Sequence, residues 1–366
     1  MSNSTCFATG SNEQKVALAI IPKLSSLLSI VGSIFIIYKI IGGKRLSTTF
    51  NRLLFGMSIS DILSSIGYFM STWAIPSDSH AQNVGANCYH GNIGNVTTCS
   101  VQGLFIHVGS VSMMIYHAVL SLYFRLRIQF NWNTSRYAKV EFIMLGFPVL
   151  FTFGSGAICM KFDAYNPLLF TCWLVSYPAM CTFQDVDCVR GEHLQVLATM
   201  THLVPFVGCI YIVSVSMFGL YKYVKEEELR MSEFRIQGAS ETVRSEQSRK
   251  VFRQACLYGL AFIVVWVPPV ICFLLESLDV VKETSLSKTR FYVMALFLPL
   301  HGFFNAIIYS PEFAHTIIGY CVWLTKPLRS IFVRCSAGQE WSFFSNPATP
   351  VNVPSETIVI STLAYE

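Results

Sequence analysis

Residues 291–313 read FYVMALFLPLHGFFNAIIYSPEF. The run is long enough to cross a bilayer, which takes roughly 20 apolar residues in a helix. Yet it holds Asn305 and Tyr309, and it stops at Ser310-Pro311-Glu312. Four residues apart, Asn305 and Tyr309 share one helical face. A bare amide turned toward hydrocarbon is costly, so that face must meet other helices. The rest of the chain has to supply them.

It does. The chain has 366 residues, 53% of them hydrophobic and 13% charged, where a soluble domain carries about a quarter charged residues. Apolar runs at 16–41, 50–73, 99–124, 140–160, 194–222, 251–275 and 291–311 each match a span. The second and third are rich in Ser and Gly, which suits close packing between membrane helices. The expected fold is an all-α membrane protein, a seven-transmembrane helix bundle. Pro311 ends the last span, and Glu312, Phe313, Ile317, Ile318 and Cys321 suit a short amphipathic eighth helix on the membrane surface. Three regions follow: an outer N-terminus over 1–15, the bundle with its eighth helix over 16–325, and a polar, disordered tail over 326–366.

Basic residues orient the bundle. With the N-terminus outside, nineteen of the 26 Lys and Arg fall on the cytoplasmic side and seven outside. The first 15 residues show no basic region followed by an apolar core and cleavage site. Two glycosylation sequons, at Asn3 and Asn95, then lie outside, and one at Asn133 lies inside. Cys6, Cys88, Cys99, Cys172, Cys181 and Cys188 also lie outside, where disulfides form. A bridge from Cys99, at the outer mouth of the third span, to the 161–193 loop would pin that loop across the bundle. Cys172 is the favoured partner, leaving Cys181 for Cys188, though the sequence leaves the choice among the three loop cysteines open.

Asp61 lies half way along the second span and is the one acid at mid-depth in any span. Opposite Asn305 it would make a polar centre in the inner half of the bundle, acting either as a static packing node or as a pivot. The sixth span carries Phe262, Trp266 and Pro268-Pro269. Proline removes a helical hydrogen bond and kinks the helix, which gives a lever whose inner end can swing.

These residues carry a resemblance. Phe262-x-x-x-Trp266-x-Pro268, Asn305-x-x-x-Tyr309, Asp61 and Cys99 resemble the motifs of rhodopsin-like G protein-coupled receptors. GFFNAIIYSPEF and Cys172-Trp173 look more like the cyclic-AMP-receptor-like receptors of single-celled eukaryotes. The resemblance covers residues 16 to 325 and implies a receptor in the plasma membrane, N-terminus extracellular. It would bind an extracellular ligand and signal to a heterotrimeric G protein, and it implies a switch built from Asp61, Arg125, Phe262, Trp266, Pro268, Asn305 and Tyr309. The chain departs from the pattern at several points. Ala306 stands where the family has Pro, the fourth span has no Trp, and the third ends Tyr123-Phe124-Arg125 without an acid. Arg125 also lies one position further from Cys99 than the family spacing. It reads equally as a switch residue and as a base snorkelling to the lipid headgroups.

For a ligand, Gln102, His107, His202, Glu276 and His301 are the polar residues expected near the outer halves of the spans, with Pro205 positioned to bulge the fifth. No cofactor is indicated. A retinal Schiff base needs a Lys in the seventh span, and 291–325 contains none. Enzymes are disfavoured, since H-E-x-x-H, G-x-S-x-G and Gly-rich phosphate loops are lacking. The bases line membrane edges, which argues against nucleic acid. The remaining alternative is a transporter or channel, disfavoured because Asp61 stands almost alone where transport demands several intramembrane charges.

Overall fold

Each apolar run becomes a helix, and caps set where four of them start. Ser11, Thr48, Asn95 and Asn133 occupy N-cap positions, their side chains accepting from backbone N–H groups three residues on. The computed structural model describes residues 11–77, 89–177, 181, 187–234, 241–277, 285–310 and 313. Its elements in order are α1 (Asn12–Gly42), α2 (Thr49–Met70), α3 (Val96–Ile128), α4 (Thr134–Lys161), β1 (Tyr165–Leu168), β2 (Thr171–Leu174), α5 (Leu194–Ala198), α6 (Val204–Phe234), α7 (Glu241–Ser277), α8 (Ser285–Phe297) and α9 (His301–Tyr309). Seven helical crossings among the described residues are long and apolar enough for a membrane. The first four are α1 to α4, and the sixth is α7. The fifth joins α5 to α6 through a π turn, Thr199–Leu203, and the seventh joins α8 to α9 through a 3-10 turn, Leu298–Leu300.

Both interruptions trace to proline. The π turn lies just before Pro205, whose ring cannot donate to the preceding turn. Pro299 deprives the Ala295 carbonyl of its helical donor, and the Ser25 hydroxyl of α1 donates to that carbonyl at 3.2 Å instead. Ala306, which stands where the family has Pro, leaves the helix unbroken at that position. The break comes two turns earlier. The sixth crossing keeps Pro268 and Pro269 inside a continuous helix.

Small residues let the first and seventh crossings touch. A Cβ on Gly32 would lie 2.7 Å from the Gly302 carbonyl oxygen, and the Gly302 N–H donates to the Ser29 hydroxyl at 2.8 Å. The third crossing is the most enclosed of the seven. At one end of the bundle, hereafter the outer end, β1 and β2 form an antiparallel hairpin pairing Tyr165 with Leu174 and Pro167 with Cys172. Its turn residues Leu169 and Phe170 bury themselves among Leu18, Tyr68, Ile106 and Ala295. At the inner end, Arg52 of α2 grips Glu141 of α4 through two hydrogen bonds, 2.6 and 2.8 Å.

The contacts divide the chain into Met1–Tyr309, which holds every crossing, and Ser310–Glu366. In the second unit the Phe313 N–H donates to the Ser310 carbonyl at 3.1 Å. The expected eighth helix and tail lie outside the described residues.

Candidate functional site

The second crossing carries Asp61 and the seventh carries Asn305, and the bundle brings them together. The Asn305 amide donates to the Asp61 carboxylate at 3.2 Å, and both side chains are buried. One turn earlier, His301 places Nδ1 3.3 Å from the same amide nitrogen and 3.8 Å from the other Asp61 oxygen. His301 was expected in an outer ligand set. It belongs instead to this centre, because α9 starts at that residue and one turn separates it from Asn305.

The centre continues into α3. His117 packs edge to face on His301 with ring centroids 4.6 Å apart. His117 also lies 5.6 Å from the ring of Phe262 and 6.4 Å from that of Tyr258. Trp266 closes the circuit, 6.3 Å from Phe262 and 6.5 Å from His301. Sequence reading passed over His117, although an ionisable side chain inside an apolar span is the signal that finds such residues. Four crossings therefore meet around one cluster: α2 through Asp61, α3 through His117, α7 through Phe262 and Trp266, and the seventh through His301 and Asn305. Just above Trp266 on the same helix, Pro268 and Pro269 leave the carbonyls of Val264 and Val265 without their usual donors.

The hydrogen bonding here is incomplete. Nε2 of His117, Nε2 of His301, Oδ1 of Asn305 and Nε1 of Trp266 are buried without a partner among the described residues. Buried polar atoms are costly unless paired. An arrangement that leaves four of them open gives any alternative arrangement something to gain.

Below the centre, the third crossing corrects an expectation. Phe124, not Arg125, turns into the bundle. It is buried, 5.7 Å from the ring of Phe50 and 6.4 Å from that of Tyr258. One residue turns a helix by about 100°, so Arg125 points sideways to α6. Its Nε donates to Gln129 at the end of its own helix at 3.0 Å, and an Nη donates to the Val215 carbonyl of α6 at 3.4 Å. Tyr309 is buried near the inner end of the seventh crossing.

At the outer end, two disulfides join Cys99 to Cys172 and Cys181 to Cys188. The first ties the hairpin to the top of α3. Gln102 does the same work with its amide: Nε2 donates to the carbonyls of Gly67 and Ser71, and Oε1 accepts from the Cys172 N–H, all within 2.8–2.9 Å. It was expected to meet a ligand, but those three bonds make it a staple between α2, α3 and β2. His107 and His202 flank Trp173 of the hairpin, with ring centroids at 6.1 and 5.2 Å. His107 Nε2 pairs with the Ser155 hydroxyl at 3.0 Å. Each histidine keeps a buried Nδ1 without a partner. Tyr165 meets His107 edge on, with ring centroids 6.0 Å apart, and burial pushes its phenol well above the ordinary range, so it stays protonated. Glu276 sits in α7, and its side chain lies outside the described residues. Of the two outer sequons, Asn3 lies outside them too, while Asn95 is exposed and caps α3 through its carbonyl oxygen.

No protein-family model matches the chain, and no curated protein sequence matches it either. The crystal structure of squid rhodopsin is similar in architecture, with a TM-score of 0.59 over 96% of this chain and 97% of that one, at 16% identity. The chain has the rhodopsin-type seven-helix fold and is a multi-pass membrane protein.

Proposed function

We propose that this chain is a G protein-coupled receptor of the plasma membrane, with its N-terminus extracellular. A ligand of the outer face binds beneath the hairpin, among the third, fifth, sixth and seventh crossings near His107 and His202. It favours a state in which the inner part of α7 swings outward, and the size of the shift equals its differential affinity for the two states. A heterotrimeric G protein then enters between the inner ends.

The observation that supports this reading most is the placement of the Asp61–Asn305–His301–His117 cluster. It lies between the hairpin-covered outer residues and the Phe124 plug, and it touches the proline-bearing helix through Phe262 and Trp266. A change in the outer half that moves Trp266 must disturb this cluster. A change in the cluster must move α7, which packs on Phe124 of α3 through Tyr258.

The test is guanine nucleotide exchange on a panel of heterotrimeric G proteins, using the full chain reconstituted in lipid. Basal exchange on at least one member is expected, reduced at least about tenfold, or 1.4 kcal/mol, in Asp61→Asn and Trp266→Ala. A chain that passes solutes across vesicles and stimulates no member of the panel is a transporter instead.

A further inference from the structure

The inner ends of α3 and α6 leave an open groove of about 300 Å3 between them. Arg125 and Gln129 form one wall, and Val215, Gly219 and Lys222 form the other, with Glu226 at the far end. Nothing in the switch uses this groove, because Phe124 rather than Arg125 faces the bundle.

Arg125 is held in place for something. Its Nε is fixed by Gln129, one Nη lies on the Val215 carbonyl, and its guanidinium sits 5.7 Å from the ring of Phe130. Gly219 makes the fit possible. A Cβ there would lie 2.9 Å from Arg125 Nε and 3.1 Å from Cζ, so any other residue would lift the guanidinium off α6. Three residues on, Lys222 is exposed and its ammonium rests 4.9 Å from the ring of Phe218. Among the described residues neither base has a carboxylate partner. Glu226 is the one acid on the groove, one turn along the same helix from Lys222, and forms no ion pair with it.

The groove also lies at a definite level of the membrane. Along α6 the exposed side chains Tyr211, Val215 and Phe218 are apolar or aromatic. From Lys222 onward the exposed positions turn mostly charged: Lys222, Lys225, Glu226 and Arg230, with Leu229 the one apolar side chain exposed among them. The groove therefore opens where acyl chains give way to headgroups. Two cations without an ion-pair partner among the described residues, one of them a preorganised planar fork, fit a phosphate, which Arg engages through two parallel hydrogen bonds and Lys as a point charge. We propose that this groove binds the phosphate of an acidic phospholipid, with Arg125 and Lys222 as its charge partners and the Val215–Phe218 wall against its acyl chains. The proposal does not depend on G protein coupling.

Native mass spectrometry of the detergent-purified full chain, with phosphatidic acid or phosphatidylcholine added, tests it. Phosphatidic acid is expected to be retained over phosphatidylcholine. Arg125→Gln and Lys222→Gln each reduce that retention about fivefold, the effect of one base near a charged lipid surface. Gly219→Val, which fills the cradle, reduces it further. Lys225→Gln removes the same charge from the same helix outside the groove and leaves retention unchanged. Lys222 is exposed, so its variant folds even if Gly219→Val does not. Equal retention by wild type, Arg125→Gln and Lys222→Gln overturns the proposal, as does an equal loss in Lys225→Gln. Inorganic phosphate at millimolar concentration is expected to leave the lipid bound. Its displacement of the lipid overturns the lipid assignment in favour of a free phosphate.

Discussion

His117 of α3 and His301 of α9 meet edge to face at 4.6 Å, and His301 is one contact away from both Asp61 and Asn305. This histidine pair couples the third and seventh crossings at mid-depth, where either a tight apolar contact or a fully paired polar one would be more stable. Instead each imidazole keeps one buried nitrogen without a partner. Stability given up at a buried polar contact is the expected mark of an element with two arrangements.

Replacing His117 by Leu tests that view. Leu fills a similar space against Phe262 and Tyr258 and removes the orphaned Nε2. The variant is expected to gain about 1–2 kcal/mol in stability, the order of an unsatisfied buried group, and to lose basal nucleotide exchange. Thermal unfolding in detergent gives the first quantity and the exchange assay the second. A large loss of stability would make His117 a packing residue and nothing more.

The two disulfides differ in what they close. Cys99–Cys172 spans 73 residues and Cys181–Cys188 spans 7. On loop entropy alone the first is worth about 4 kcal/mol and the second about 2.5. Cys99→Ala should therefore lower the midpoint of thermal unfolding more than Cys181→Ala. It should also free the hairpin to exchange its amide hydrogens, measured by mass spectrometry, whereas Cys181→Ala should leave β1 and β2 protected.

Two glycines separate packing from mere presence in a helix. Gly32 faces Gly302 with no room for a Cβ, while Gly208 of α6 has nothing within 4 Å of where one would stand. Gly32→Val should cost about 1–3 kcal/mol by forcing the first and seventh crossings apart. Gly208→Val should change stability by less than about 0.5 kcal/mol. Melting curves of the two variants side by side decide it. Equal effects would mean that the first crossing does not dock where Ser29 and Gly302 place it.

Much of this was legible in the residues. Run length gave seven crossings, and the cost of burying Asp61 and Asn305 in hydrocarbon required them to face inward, where they meet at 3.2 Å. Helical register was harder. Arg125 lies one position from the inward face, and one position is about 100°, so Phe124 takes the inward place that the resemblance implied for an Arg. The hairpin was illegible because Tyr165-Asn-Pro-Leu has no apolar alternation and includes a proline. The Arg52–Glu141 pair joins residues on different helices, which no local pattern reports. Gln102 shows the same limit from the other side. A polar residue near an outer mouth reads as a ligand contact until its three partners are located.

The central claim is that the Asp61–His117–Asn305 centre lets α7 adopt two positions. Spin labels at Arg253 of α7 and Lys139 of α4, both exposed, read the distance between the inner ends directly, in a background with Ser at Cys6, Cys88, Cys256, Cys321 and Cys335. With each G protein of the panel, nucleotide-free, a second and longer distance population is expected in the wild type, and its fraction should fall in Asp61→Asn. A single distance that no G protein and neither Asp61→Asn nor His117→Leu alters would contradict the account.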